Sequence, residues 1–377
     1  MAVIIIHHTI CPVYDYPEPT QFTGNNYFNP YSEITSMKKI KANFHAHTRV
    51  WGGLTDGKNN IKEDVIERYR HLKYDLAGIS DYMSINTYQQ NDPLFIPEYE
   101  HGIGIKKNHQ LSIGAKSVLW NDYIFFQTID NEQTIIKQLK DRSELVCIAH
   151  PKLRNAYTAY DFERLTDYDC IEIVNHNFGK ALDMWDAALS SGHLVFGMGD
   201  DDCHLFDNPN EFGGGYNIIY GNALSGEEVI KSLKTGKSFT VDQTGSTLDI
   251  KRQRAIDLPS LINYSVDSGK INITLDKQAH EIRFIGQNGV QEDSGKDVSK
   301  MSYPIKAQDT YIRAEIIFPD STTFYLNPVV RYTGNEIQNP SVVINWTKTW
   351  LLRSITGLIF ILILSLIALH KKKEIKL

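Results

Sequence analysis

The stretch Ala42-Asn43-Phe44-His45-Ala46-His47-Thr48, ANFHAHT, decides how the rest of the chain is read. In a strand, alternate side chains share a face, so His45 and His47 point one way while Phe44 and Ala46 point the other. Two imidazoles on one face can grip one metal ion. Two ordinary histidines on a solvated face have the same spacing, and an isolated H-x-H is more often that. The two readings separate on whether other strands also end in ligand-type residues.

They do. Apolar runs predict strands over Ala42–His47, Leu76–Ser80, Leu145–His150, Cys170–Val174 and Leu194–Met198. Between them lie amphipathic stretches, Ile61–Leu72 and Thr134–Asp141, and a further helix is expected over Ser225–Thr235, ended by Gly236. This alternation predicts a mostly parallel α/β sheet or barrel over residues 38–245, a fold in which functional residues collect at strand C-termini. The second strand runs into Ser80-Asp81-Tyr82, the third into His150 of CIAHP and the fourth into Asn175-His176 of IEIVNH. The fifth runs into GMGDDDCH, with Asp200, Asp201, Asp202 and His204. Between the second and third, PEYEHGIGIKKNHQ offers Glu98, Glu100, His101 and His109. Imidazoles and carboxylates without thiolates suit zinc, manganese or iron, and the four cysteines form no CxxC pair.

The ordered set of H-x-H, Thr55-Asp56-Gly57, the Ser-Asp of GISDYM, Glu-then-His, AHP and a closing D-x-H resembles the PHP (polymerase and histidinol phosphatase) superfamily over about residues 40–240. The resemblance implies a distorted seven-stranded β/α barrel that hydrolyses phosphate esters with two or three divalent metal ions. By position it implies one ion on His45, His47, Glu100 and Asp202, and a second on Glu100, His109 and His150. Asp56, Asp81 and His204 belong with a third site. There the family usually has a histidine where this chain has Tyr82, and a phenol with a pKa of about 10 is a poor ligand. A two-metal centre is therefore expected, with Tyr82 as a hydrogen-bond donor. Glu98 remains an alternative to Glu100, and Asp201 to Asp202. Asp56 and Asp81 read equally well as caps of a turn or helix. Asp200 and Asp201 are expected to orient histidines from behind. His204 and Tyr82 are candidates to protonate or stabilise the leaving alkoxide, and Arg154 and His176 to bind substrate. His7, His8 and His71 read as solvent-facing.

The remaining chain bounds the function. Residues 1–37 read as an extended arm. Residues 246–335, beginning LDIKRQ, read as a small all-β, sandwich-like module without helix. The Gly213-Gly214-Gly215 run reads as a flexible turn rather than a phosphate cradle. Residues 349–369, TWLLRSITGLIFILILSLIAL, are long enough to cross a hydrocarbon core of about 30 Å. Arg353 can snorkel beside Trp346 and Trp350, and the basic tail 370–377 predicts a cytoplasmic end, leaving the catalytic body outside. Met1–Ile6 is apolar but shorter than a signal-peptide core, so the side of the membrane stays open. A net charge of −6 and no aromatic-interleaved basic groove argue against nucleic acid as partner. The expected substrate is a small phosphorylated molecule. The alternative is a membrane-anchored binding protein whose barrel binds metal with little turnover. Oligomeric state leaves no trace in the sequence.

Overall fold

The computed structural model describes residues 2–55, 57 and 59–374. The α/β body contributes β1 (Lys38–Asn43), β2 (Leu76–Ala77), β3 (Glu98–His101), β4 (Gln110–Ile113), β5 (Leu145–Ile148), β6 (Cys170–Asn175), β7 (Phe196–Asp200), β8 (Gly215–Gly221) and β9 (Ser238–Asp242). Beyond them come β10 (Leu261–Asp267), β11 (Lys270–Ile285), β12 (Gln291–Pro304), β13 (Tyr311–Ile317) and β14 (Thr323–Tyr332). The helices of eight or more residues are α1 (Ala2–Thr9), α2 (Lys62–His71), α3 (Ile129–Lys140), α4 (Leu182–Ser190), α5 (Gly226–Lys234), α6 (Leu248–Ile256) and α7 (Trp346–Glu374).

The expected closed barrel is replaced by two open sheets. One runs β7-β6-β5-β4-β3, parallel between β7, β6 and β5 and antiparallel from there to β3. The other runs β10-β11-β13-β14-β9-β8-β1-β2. Between β7 and the β1–β8 edge the ladder gives way to side chains. Asn217 both accepts from Gly199 N and donates to Gly199 O, Asp201 N donates to Asn43 Oδ1, and Phe44 N donates to Asp200 Oδ1. Past the strand ends, isolated bridges at Ala46–Cys203 and Tyr82–Glu100 tie the sheets again. Polar side chains substituting for backbone partners satisfy the buried amides without a continuous ladder. Just past β2, Glu98 packs against Gly78, where a Cβ would sit 1.6 Å from Glu98 Oε1.

The β-rich part continues one of these sheets. β14 pairs with β9 from Phe239↔Leu326 to Asp242↔Thr323, so it prolongs the sheet that carries β1. A buried ion pair adds to this: Arg313 of β13 meets Asp186 of α4 through Nε–Oδ1 at 2.8 Å and Nη2–Oδ2 at 2.7 Å. LDIKRQ, expected as strand, is the start of α6. Thr247 Oγ1 accepts from Ile250 N as its cap, and Lys251 and Arg254, three apart on one helical face, bond Phe212 O and Asp320.

At the termini, the expected extended arm begins instead with α1. The first turns of α7 are docked: Val13 N donates to the buried Thr349 Oγ1, and Arg353 Nε donates to Ile10 O at 2.9 Å. Further along α7 the apolar side chains are exposed, and Trp346–His370 is long and apolar enough to cross a membrane by length and composition.

Candidate metal centre

β1 ends at Asn43, two residues short of His45, yet the alternation persists beyond it. Phe44 and Ala46 are buried in apolar clusters, while the His45 and His47 rings lie 5.1 Å apart on the other side. Glu100, from β3, stands between two histidine pairs. Its Oε1 is 2.5 Å from His109 Nδ1 and 2.8 Å from His150 Nε2. Its Oε2 is 3.2 Å from His47 Nε2 and 3.5 Å from His45 Nε2. Asp202, at a positive φ of 50° just past β7, places Oδ1 3.1 Å from His47 Nε2, 3.2 Å from His45 Nε2 and 3.1 Å from His204 Nε2. The ligand-type atoms fall into four overlapping groups: His45-His47-Glu100, His45-His150-Asp202, His47-Asp202-His204 and Glu100-His109-His150. Gly102, at φ +131°, leaves room for His109; a Cβ there would sit 2.3 Å from its Cδ2.

The electrostatics are those of a site built around positive charge. Burial favours neutral imidazoles, but Asp202, Glu172 and Glu100 together hold His45 well above its usual range. Against the same burial, Asp202 and Glu100 lift His47 to about 9 and Glu100 raises His150. His109 goes the other way, pushed down to about 4 by burial with His150 and Lys107 nearby. Burial would raise Glu100 and Asp202, yet the surrounding imidazoles keep both well below the usual carboxylate range. Two buried anions ringed by imidazoles need either protons or a cation. His45 Nε2 and Glu100 Oε2 face one another, both buried and without a hydrogen-bond partner. A nitrogen–oxygen set with such orphaned atoms fits a divalent ion.

Other expected residues fall elsewhere. Asp81 accepts from Thr48 N, Thr48 Oγ1 and Asn86 Nδ2, so its carboxylate anchors the turn instead of joining a cluster. Asp56 lies outside the described residues. Asp201 orients no histidine. It accepts from Tyr69 Oη and from the amides of Gly213, Gly214 and Gly215, so the glycine run cradles an anion after all, the protein's own carboxylate. Asp200 accepts from Phe44 N through Oδ1, and its Oδ2 is buried without a hydrogen-bond partner. Glu98 is buried apart from the four groups, with burial raising its carboxyl well above the usual range. His101 is held by Gln110 and Asn121 O. His176 bonds Asn210 O and lies 3.5 Å from Lys251 Nζ, and Arg154 is exposed with Nη1 on Ile105 O; neither reaches the clusters. His7 and His8 pack on Tyr123 rather than facing solvent, at 4.8 and 5.1 Å. Tyr82 forms a wall: its ring stacks on His47 at 4.4 Å, and the His204 ring stacks on His47 at 4.3 Å, with Tyr82 and His204 themselves 6.1 Å apart.

Glu172 went unrecognised in the sequence. Its Oε1 is 2.8 Å from His45 Nδ1, and its Oε2 accepts from His150 N at 2.5 Å and Asn175 Nδ2 at 2.9 Å. The carboxylate therefore fixes His45 with Nδ1 protonated and Nε2 turned to the cluster. A trace was present: a lone charge inside the apolar strand CIEIV implies an interior partner. Lys107, in the KK of GIGIKKNH, was also passed over; its Nζ lies 5.5 Å from the Tyr82 ring.

No known sequence family matches the chain, and no curated protein matches it. Among solved structures it is similar to the crystal structure of a two-domain protein from Bacteroides vulgatus containing a predicted PHP-like metal-dependent phosphoesterase. That likeness has 10% sequence identity and a TM-score of 0.40, and covers 85% of this chain and 100% of that one.

Proposed function

We propose that the chain is a metal-dependent phosphoesterase, a phosphatase or phosphodiesterase acting at a centre of two or three ions. The observation that carries this is the division of Glu100, one oxygen toward His109 and His150 and the other toward His45 and His47. His45, His47, Glu100 and Asp202 would hold one divalent ion, zinc, manganese or iron, and Glu100, His109 and His150 a second. His204, with His47 and Asp202, is the remaining ligand-type group. Ions there would supply Lewis acidity and lower the pKa of a bound water.

The chain's own residues do the rest. Glu172 holds the ring proton of His45 on Nδ1, so that Nε2 is the nitrogen that would meet an ion. The Tyr82 and His204 rings both pack against His47 and limit its tilt. His204 is the most exposed of the clustered side chains, at 15%, and stands where a proton can pass to a departing alkoxide. Lys107 offers a charge to phosphate oxygens at the mouth. The basic tail would stay cytoplasmic, with the body on the opposite side of the membrane.

The test is elemental analysis of the purified protein followed by a panel of phosphomonoesters and diesters. Turnover that is lost on chelation, and with His47→Ala or Asp202→Ala, supports the reading. Full activity of either variant with unchanged metal content refutes it. Bound metal with no turnover on any ester supports a binding protein instead, a reading favoured by Tyr82 standing where the resembled family has a ligand.

A further inference from the structure

A cavity of about 570 Å³ opens beside the cluster, lined by Trp51, Leu54, Tyr82, Ile103, Lys107 and Trp120 among others. Its floor is polar, since Tyr82 stacks directly on His47. Its walls are not. Lys107 is the only charged residue lining it among the described residues, and Thr55 adds one hydroxyl. A sugar phosphate or nucleotide would meet few partners for its hydroxyls and base edges here.

The rim is more apolar still. Leu54 is 90% exposed and Trp120 65% at the mouth, and Phe126, 74% exposed, and Ile105, 57%, stand on the loops that flank it; exposed apolar side chains gathered in this way mark an interaction surface. Trp51 and Trp120 meet edge to face at 5.8 Å across the mouth. The two rim loops are tied together, as Ile105 N donates to Ile124 O and Ile103 N to Asp122 Oδ2.

This edge is joined to the candidate membrane span. The end of α1 sits on the rim loop: His7 Nε2 is 3.2 Å from Asp122 O, and the His8 ring stacks with Phe125 at 6.4 Å. The next residue but one after His8, Ile10, accepts from Arg353 in the first turns of α7. Trp346 and Trp350, at the head of α7, are more than half exposed and suit the headgroup layer.

From this continuity we infer that the apolar rim seats in the bilayer surface and that the site takes its phosphoester from a membrane lipid, an amphiphile with an anionic phosphate head and acyl chains. This rests on the phosphoesterase reading above. The phosphate reaches the cluster past Lys107, and the chains stay against Trp51, Ile103 and Trp120. Water supplies the only co-reactant: its oxygen forms a new bond to phosphorus, the ester P–O bond breaks, and one water proton ends on the departing alcohol.

The experiment uses the full chain, loaded with manganese and reconstituted in phosphatidylcholine vesicles. Vesicles doped with dioleoylphosphatidic acid or dioleoylphosphatidylglycerol are compared with glycerol 3-phosphate, glycerophosphoglycerol and p-nitrophenyl phosphate in solution. At least one lipid should turn over tenfold or more faster than its deacylated counterpart. The pair Ile105→Ser and Phe126→Ser should slow lipid turnover at least threefold, leave soluble esters unaffected, and Phe126→Trp should retain full rate. Equal rates for lipid and deacylated ester, hydrolysis of soluble esters alone, or an unchanged lipid rate in the serine pair overturns this inference and leaves the phosphoesterase reading standing. No hydrolysis of any ester overturns both.

Discussion

Glu172→Gln tests the proposed metal centre at a residue outside the four ligand-type groups that positions two of their histidines. In the native protein its carboxylate accepts three times, from His45 Nδ1, His150 N and Asn175 Nδ2, all buried. A glutamine cannot reproduce this. If its amide nitrogen faces His45, Nδ1 must accept, the proton moves to Nε2 and the ligand lone pair is lost. If the amide turns round, an N–H faces the His150 and Asn175 donors, and buried groups go unsatisfied at about 1–3 kcal/mol. The first outcome should weaken metal binding about 10- to 100-fold, the usual cost of losing the partner that orients a ligand histidine. That range corresponds to about 1.4–2.7 kcal/mol. The second should lower the stability of the metal-free protein. Competition against a chromophoric chelator reads the first and urea unfolding in chelator the second. Metal affinity within threefold of native, together with unchanged metal-free stability, would refute the assignment of Glu172 as the group that positions His45.

Chelation should lower the thermal midpoint of the native protein and leave that of Glu100→Ala unchanged, since ions bound only to the folded cluster stabilise by mass action; equal shifts in both would place the stabilising ion elsewhere. Lys41 supplies a pH dependence: burial pushes its ammonium down to about 7, where Nζ bonds Leu72 O between the Tyr74 and Tyr216 rings. Between about pH 7 and the ordinary lysine pKa of about 10.4 the unfolded chain binds the extra proton, so stability rises with pH by up to ~1.4 kcal/mol per unit. Lys41→Met should flatten that slope in urea titrations at successive pH values; parallel slopes would show that Lys41 is not the titrating group. Asp186→Ala should destabilise by about 1.5–3 kcal/mol because it leaves the buried Arg313 with Glu315 as its carboxylate partner, and Asp186→Ala combined with Arg313→Met should cost less than the sum of the two single changes. Additive losses in that cycle would mean the two side chains do not act together in joining α4 to β13.

Much of the centre could be read along the chain because metal ligands announce themselves by residue type. His45, His47, His150, Asp202 and His204 stand at strand endings and Glu100 and His109 in the segment between the second and third strands, and the fold gathers their donor atoms into four overlapping groups. Asp81, Asp201 and His176 are of the same types at similar endings, yet their atoms go to Thr48, to three glycine amides and to Asn210 O. Which carboxylate faces a histidine and which faces a backbone amide depends on neighbours distant in sequence, and periodicity carries no record of them.

The chain by itself determined five strands and three helices of the α/β body, though not β3, β4, β8, β9 or α4, together with the shared face of His45 and His47 and the long apolar C-terminal helix. Each is a local property, set by which residue is apolar and how far it lies from the next. Tertiary structure alone decided that the sheets stay open, with Asn43, Asn217 and Asp200 closing the gap through side chains. It also decided that Leu248–Ile256 is helical, its lysine and arginine held by Phe212 O and Asp320, and that Glu172 orients His45. These are pairings between polar groups far apart in the chain, and their energy exists only once burial has removed the competing water.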